Sequence, residues 1–224
     1  MSTDPRSVSP PPRKIVCLET YWGDHKGRLF HDTSVLPFLQ ALGSHFDPPL
    51  RIAHRFVESV SHLASYVRYP DGLCWRDSEV FDAPVFYLSF HGSPATIRSS
   101  LENVGAQVLC ESFAGWGGKY DNLVYFGACS VFAGPEGQHF AREFLAASRC
   151  RAVLGYTTDV DWMDSMMTDL LFLRRFFAHD EAWLNLAAIY DSVIADFGPA
   201  RRLGLELHMR EDTTPPLAAM PELR

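Results

Sequence analysis

The stretch Leu123–Val131, "LVYFGACSV", determines how the chain around it folds. Its apolar start predicts a buried β-strand, and the small Gly-Ala pair that follows lets the backbone turn before Cys129. The stretch Val85–Ser93, "VFYLSFHGS", has the same form and reaches His91-Gly92. Nearly continuous apolar runs are typical of strands that are covered on both faces. The sequence therefore predicts two buried strands whose ends carry a thiol and an imidazole.

Segments with helical spacing of apolar residues lie between the predicted strands. The further strands are predicted at 13–22, 50–57, 151–157 and 203–210, the last with the strict alternation of a half-buried edge strand. Helices are predicted at 35–46, at 60–67 after the N-cap Ser59, after "GPEG" around 140–145, at 163–177, and at 183–197, where Gly198-Pro199 ends the helix. At least one helix is expected within 96–116. This alternation predicts an α/β fold, a three-layer α/β/α sandwich around a mostly parallel sheet with a C-terminal edge strand.

Length and composition favour one folded unit. The 224 residues, 47% of them hydrophobic, suffice for one core. We expect a flexible proline-rich tail at 1–12, a single domain at 13–211 and a C-terminal tail at 212–224. The net charge of −7 and the lack of a basic stripe argue against nucleic acid as a partner. No apolar run is long enough to span a membrane, and the N-terminus lacks the apolar core of a secretory signal, so we expect a cytoplasmic location.

The cysteines and histidines do not predict a metal site. Five cysteines, none in a C-x-x-C pair, disfavour a disulfide framework or a zinc site, and we expect reduced thiols and no cofactor. The remaining scattered histidines are interpreted as surface or packing groups: His25, His31, His45, His54, His62, His139 and His179.

A cysteine and a histidine at neighbouring strand ends have the chemistry of a catalytic dyad. A thiolate attacks a carbonyl carbon, and a nearby imidazole takes the thiol proton and later protonates the leaving amine. In parallel sheets, functional groups lie outside the carboxyl ends of the strands. We therefore predict that His91 and Cys129 are catalytic, and that the backbone N–H of Gly92, together with that of Cys129, binds the oxyanion.

"VFYLSFHG" followed by "LVYFGACS" resembles the caspase–hemoglobinase clan of cysteine peptidases. This clan includes caspases, metacaspases, separases, gingipains and the bacterial CHAT proteases. Its members share a strand ending in His-Gly and a later strand ending in cysteine, and they use a Cys–His dyad. The segment "AVLGYTTDVDW" also resembles the CHAT proteases, with Val160-Asp161 at their Val-Asp positions. The similarity covers residues 83–175 by motif.

The sequence differs from that of true caspases in two features. The caspase form Q-A-C-[RQG]-G is absent, and the spacing of 38 residues (129 − 91) is shorter than the caspase spacing of about 50. The resemblance therefore points to a distant, compact member near the CHAT branch. It implies a cysteine endopeptidase acting on a protein substrate and gated by a partner protein or by homodimerisation. Bacterial relatives often lie in defence or cell-death loci.

In this clan the end of the first strand and the segment after the fifth strand line the substrate pocket. Here these regions carry Asp24, Asp159 and Asp161, and Asp164 follows. Carboxylates pair well with guanidinium groups, so these residues predict a pocket for a basic side chain. The alternative is that Asp161 or Asp164 caps the helix that follows.

Two other functions remain open. The chain has features of a cysteine hydrolase of the α/β-hydrolase kind, similar to dienelactone hydrolase, in which Cys129 lies in a nucleophile elbow and His208 is the base. That elbow requires glycine where this chain has Val131. The chain is also compatible with a catalytically inactive caspase-like binding module.

Overall fold

The strands of the main sheet are separated by helices along the chain, as the sequence predicts. The computed structural model describes residues 12–21, 34–77, 82–115 and 122–210. Its strands are β1 (Lys14–Glu19), β2 (Arg51–Phe56), β3 (Val85–Ser89), β4 (His91–Ser93), β5 (Thr96–Arg98), β6 (Asn103–Gly105), β7 (Leu123–Gly127), β8 (Ala152–Tyr156) and β9 (Leu205–Met209). Its helices are α1 (Leu36–Ser44), α2 (Val60–Val67), α3 (Leu73–Arg76), α4 (Ala106–Ser112), α5 (Gly134–Ser148), α6 (Trp162–Ala178), α7 (Leu186–Asp196) and α8 (Gly198–Arg202).

A six-stranded sheet in the order β2-β1-β3-β7-β8-β9 forms the middle layer. Its first five strands are parallel, and β9 pairs antiparallel with β8 at the edge. One hydrophobic cluster joins the sheet to α2, α3, α4 and α5, and a second joins it to α1, α6, α7 and α8. The predicted three-layer α/β/α fold with its C-terminal edge strand is confirmed. The two central strands, β3 and β7, therefore have helices on both faces.

Several helix boundaries follow from local sequence. Ser59 caps α2, its side chain accepting a hydrogen bond from the backbone N–H of His62, as predicted. Pro37 lies in the first turn of α1, where a missing N–H does no harm. Gly198-Pro199 follows the C-cap of α7, as predicted, and the same pair also begins the short helix α8, with proline in its first turn. Among the described residues, no helix has both the length and the apolar character needed to cross a membrane.

The segment after β3 differs from the sequence prediction. β3 ends at Ser89, and His91 opens a separate three-stranded antiparallel sheet in the order β4-β5-β6. Ile97 and Val104 on the inner face of this sheet are fully buried in the core. The helix expected within 96–116 is α4. Strands of three residues are too short to show a clear two-residue period, so no local pattern predicts the small sheet.

A buried carboxylate joins α6 to three central strands. The hydroxyls of Tyr87, Tyr125 and Tyr156, on β3, β7 and β8, donate hydrogen bonds to the carboxylate of Asp169. Burial raises the pKa of Asp169 to about 6, while the three hydroxyls oppose that rise. All four side chains are buried. This polar group therefore fixes the position of α6 against the sheet, because an unpaired partner in the core would be costly.

Candidate active site

His91 and Cys129 follow neighbouring strands at the carboxyl edge of the sheet. Ser89 and Gly127, the last residues of β3 and β7, are register partners, and His91 and Cys129 each lie two residues further along. Neighbouring strands are about 4.8 Å apart, so the two segments leave the sheet side by side.

Gly92 brings the two segments into direct contact. A Cβ atom added to Gly92 would lie 2.3 Å from the carbonyl oxygen of Cys129 and 3.1 Å from its backbone nitrogen. Both distances are shorter than ordinary van der Waals contact, so the backbones pack at a separation that only glycine permits. The structure thus brings the predicted residues His91, Gly92 and Cys129 together at one point of the sheet edge.

Both residues of the predicted dyad are at least partly exposed to solvent. His91 is exposed and Cys129 is partly buried, with its Sγ 4.0 Å from the carbonyl oxygen of Val160. The pKa of His91 is lowered, first by partial burial of the imidazole and second by the positive charge of Arg98. A lower pKa favours the neutral imidazole, which is the form that accepts a proton.

The other four cysteines are poor nucleophiles. Burial raises the pKa of Cys74 and Cys150 to about 12 and that of Cys110 to about 11. Burial, and then the charge of Glu19, raise the pKa of Cys17 well above its ordinary value. Because the thiolate is the reactive form, these four thiols are suppressed as nucleophiles.

The turn after Cys129 is held in an unusual conformation. Ser130 has φ 50°, in the left-handed region that a residue with a side chain rarely adopts. Its backbone N–H donates to the carbonyl of Thr158 at 2.8 Å, and its Oγ donates to Oδ1 of Asp159 at 2.6 Å. Backbone outliers of this kind cluster at functional sites, where the surrounding contacts maintain them. The segment after β8 therefore fixes the turn that presents Cys129.

The acidic residues that the sequence suggests for substrate binding do not form one cluster among the described residues. Asp24 lies outside the described residues. Asp159 is exposed and accepts the hydrogen bond from Ser130, and Asp161 is the N-cap of α6, accepting from two backbone N–H groups. Asp164 does not cap the helix and instead forms a 2.7 Å ion pair with Arg202. The capping alternative is therefore confirmed for Asp161 and wrong for Asp164.

His208, the base of the α/β-hydrolase alternative, lies away from this edge. Its register partner is Val153, whereas the carboxyl end of β8 at Tyr156 pairs with Leu205. Three residues of a strand span about 10 Å, so His208 lies about that far back along the sheet. Its ring packs against Phe132, with ring centroids 5.2 Å apart. This position does not suit a base for Cys129.

The structure contains a second polar cluster that no sequence motif indicates. Ligand atoms of Cys17, Glu19 and His54 lie within 4.8 Å of one another, a set that could hold a metal ion. Glu19 is buried, lies 2.7 Å from His54 Nε2, and accepts hydrogen bonds from the hydroxyl of Ser34 and the backbone N–H of Val35. These hydrogen bonds account for the buried carboxylate without a metal. Cys17 and Glu19 alternate on β1 and His54 pairs with Cys17, a relation visible only once the strand register is known.

Known proteins resemble this chain in structure but not in sequence. No protein-family model and no curated protein matches the sequence. A secreted C11 cysteine protease from Bacteroides thetaiotaomicron, solved with an irreversible peptide inhibitor, aligns with TM-score 0.52 and 12% identity over 82% of this chain and 59% of its own. The complex of the pro- and mature domains of Porphyromonas gingivalis RgpB aligns with TM-score 0.52 and 10% identity over 87% of this chain and 46% of its own.

These comparisons establish a distant, caspase-like structural similarity to cysteine proteases. At 12% and 10% identity they show the fold alone. The chain spans 59% and 46% of the length of the two matched proteins, so a large part of each has no counterpart here.

Proposed function

We propose that this protein is a cysteine endopeptidase that uses Cys129 as nucleophile and His91 as general base and acid. The observation that carries the proposal is the direct packing of Gly92 against the Cys129 backbone at the carboxyl edge of the sheet. That contact brings the residue after His91 against the backbone of Cys129, and His91 and Cys129 are both at least partly exposed, which supports a dyad in a fold similar to that of cysteine proteases.

The proposed reaction follows from the chemistry of the two side chains. His91 takes the thiol proton, and the Cys129 sulfur adds to the peptide carbonyl carbon to form a tetrahedral oxyanion. The backbone N–H groups of Gly92 and Cys129 donate to this oxyanion. His91 then gives its proton to the leaving amine as the C–N bond breaks. Water, deprotonated by His91, hydrolyses the thioester and restores the thiol.

The proposal includes cleavage after a basic residue. Asp159 and Asp161 are both exposed and follow β8, the strand next to β7, and Asp159 is bonded to the turn of Cys129 through Ser130. Their carboxylates would attract a lysine or arginine side chain that enters beside Cys129.

The proposal also includes gating by a partner protein or a second copy of the chain. The exposed methionines Met163 and Met167 lie one turn apart at the start of α6, close to these acids. Methionine adapts to varied apolar partners, which supports protein docking at this end of the molecule.

A thiol-reactive peptide probe tests the proposal directly. A peptidyl acyloxymethyl ketone with arginine next to the warhead is expected to label wild type at Cys129, as read by peptide mass spectrometry. Cys129→Ala should take up no label, whereas the control Cys110→Ala should label like wild type because Cys110 lies on α4. A randomised peptide library should yield fragments only with an intact Cys129. Labelling of another cysteine, or fragments made by Cys129→Ala, would refute the proposal.

The pH dependence of cleavage should reflect the lowered pKa of His91. A base must be neutral to accept a proton, and a lowered pKa keeps the imidazole neutral to lower pH. The acid limb of kcat/KM is therefore expected to have its midpoint below the ordinary histidine value of 6.5. Arg98→Gln should move that midpoint upward because it removes one of the two causes. Rates of peptide cleavage between pH 5 and 8 give both midpoints, and a wild-type midpoint above 6.5 would contradict the assignment.

A further inference from the structure

The small antiparallel sheet has one buried apolar face and one open polar face. His91 pairs with Arg98 and Ser93 with Thr96, and Arg98 also pairs with Asn103. Cross-strand partners share a face, so all five of these side chains project from the same side, opposite Ile97 and Val104. The open face lines a cavity of about 340 Å³.

The described lining of this cavity is positive or neutral. It consists of His91, Gly92, Ser93, Thr96, Arg98 and Asn103, and no carboxylate is among them. Arg98 is exposed, and within the parts of the chain that the structure describes no acidic side chain forms an ion pair with it. Although the protein carries a net charge of −7, this cavity has a locally positive lining that would attract a negatively charged ligand group.

The position of His91 defines which part of a substrate meets this cavity. The proton donor must reach the leaving amine, so the imidazole faces the residues on the C-terminal side of the cleaved bond. Arg98 lies on β5, opposite His91 on β4, and the backbones of neighbouring strands are about 4.8 Å apart. An extended peptide substrate advances about 3.3 Å per residue. The first or second residue after the cleaved bond therefore comes within reach of Arg98.

We propose that Arg98, Asn103 and the hydroxyls of Ser93 and Thr96 form a subsite that binds an acidic side chain on the C-terminal side of the cleaved bond. This inference rests on the proposed peptidase function. The guanidinium offers paired N–H donors to a carboxylate, and the amide and hydroxyls add further donors. The subsite lies on β4, β5 and β6 and shares no residue with Asp159 and Asp161, which follow β8. A preferred substrate then carries a basic residue before the bond and Glu or Asp after it.

Charge variants at position 98 test the subsite by cleavage. In a randomised dodecapeptide library, wild type is expected to prefer Glu and Asp over Gln and Asn about three- to tenfold at the first or second position after the cleaved bond. Arg98→Gln should abolish this preference while neutral peptides are still cut, and Arg98→Glu should reverse it in favour of Lys and Arg. The control Arg174→Gln removes an exposed arginine from α6 and should keep the wild-type preference.

Binding to an inactive variant separates this subsite from the catalytic proposal. The same library, arrayed on a membrane, is probed with Cys129→Ala and with Cys129→Ala carrying Arg98→Gln, and selected peptides are titrated by fluorescence anisotropy. Preferential binding of acidic peptides that depends on Arg98, without any cleavage by wild type, would support the subsite and overturn the peptidase. Cleavage without an acidic preference would overturn the subsite alone. Binding by Cys129→Ala that is indifferent to Arg98 would also overturn it.

Discussion

His91→Ala is expected to lower kcat/KM for peptide cleavage by about 100- to 10,000-fold, the range that general acid–base catalysis contributes. The variant loses both the base that activates Cys129 and the acid that protonates the leaving amine. The thermal unfolding midpoint should stay close to that of wild type, because His91 is exposed and leaves no cavity in the core. Steady-state cleavage of one fluorogenic peptide and a thermal melt of each variant give the two quantities.

His208→Ala is the matched comparison for this prediction. His208 lies partway back along β9, so its removal should leave cleavage within a few-fold of wild type. The α/β-hydrolase alternative predicts the reverse, a large loss for His208→Ala and a small one for His91→Ala. That reversed pattern would remove His91 from the dyad and with it the proposed mechanism.

Gly92→Ala is expected to reduce kcat/KM by about 100-fold with little loss of folded protein. The added methyl carbon would lie 2.3 Å from the Cys129 carbonyl oxygen and 3.0 Å from the Ala128 Cβ, so one of the two segments must move. A displacement of about 1 Å in a catalytic group costs about that much in rate. The same displacement would also move the two N–H groups that are proposed to bind the oxyanion.

Gly105→Ala controls for the general effect of adding a methyl group to the small sheet. Gly105 ends β6, and a Cβ there would have no atom within 4 Å. This variant should keep wild-type cleavage and stability. Equal activity of Gly92→Ala and Gly105→Ala would show that the contact between Gly92 and Cys129 is not needed, which would remove the main support for the dyad.

The sequence predicted the main sheet well because each strand carries a strong local signal. β3, β7 and β8 are fully covered by helices and read as apolar runs, while β9 alternates as an edge strand does. Ser59 is recognisable as an N-cap from the sequence because a serine hydroxyl is one of the few groups suited to that position. The order of the strands, in contrast, depends on long-range packing that no local pattern encodes.

The sequence predicts only the part of the candidate site that lies at the ends of the parallel strands. His91 and Cys129 could be paired because parallel strands bring their carboxyl ends to one edge. The small sheet was missed, and with it the position of Arg98, because three-residue strands have almost no periodic signal. The hydrogen bond from Ser130 to Asp159 joins positions 29 residues apart and depends on the left-handed conformation of Ser130. A serine in the sequence does not indicate that conformation.

The tyrosine-bound carboxyl of Asp169 couples folding to proton uptake. Its pKa of about 6 in the folded chain lies above the value of 3.8 that an unperturbed aspartate has. Between these two values the native form holds a proton that the unfolded form has released. The contribution of this group to stability is therefore complete below pH 3.8 and is lost as the pH rises through 6, a difference of about 3 kcal/mol. Mild acidification thus strengthens the attachment of α6 to the centre of the sheet, independently of any chemistry at Cys129.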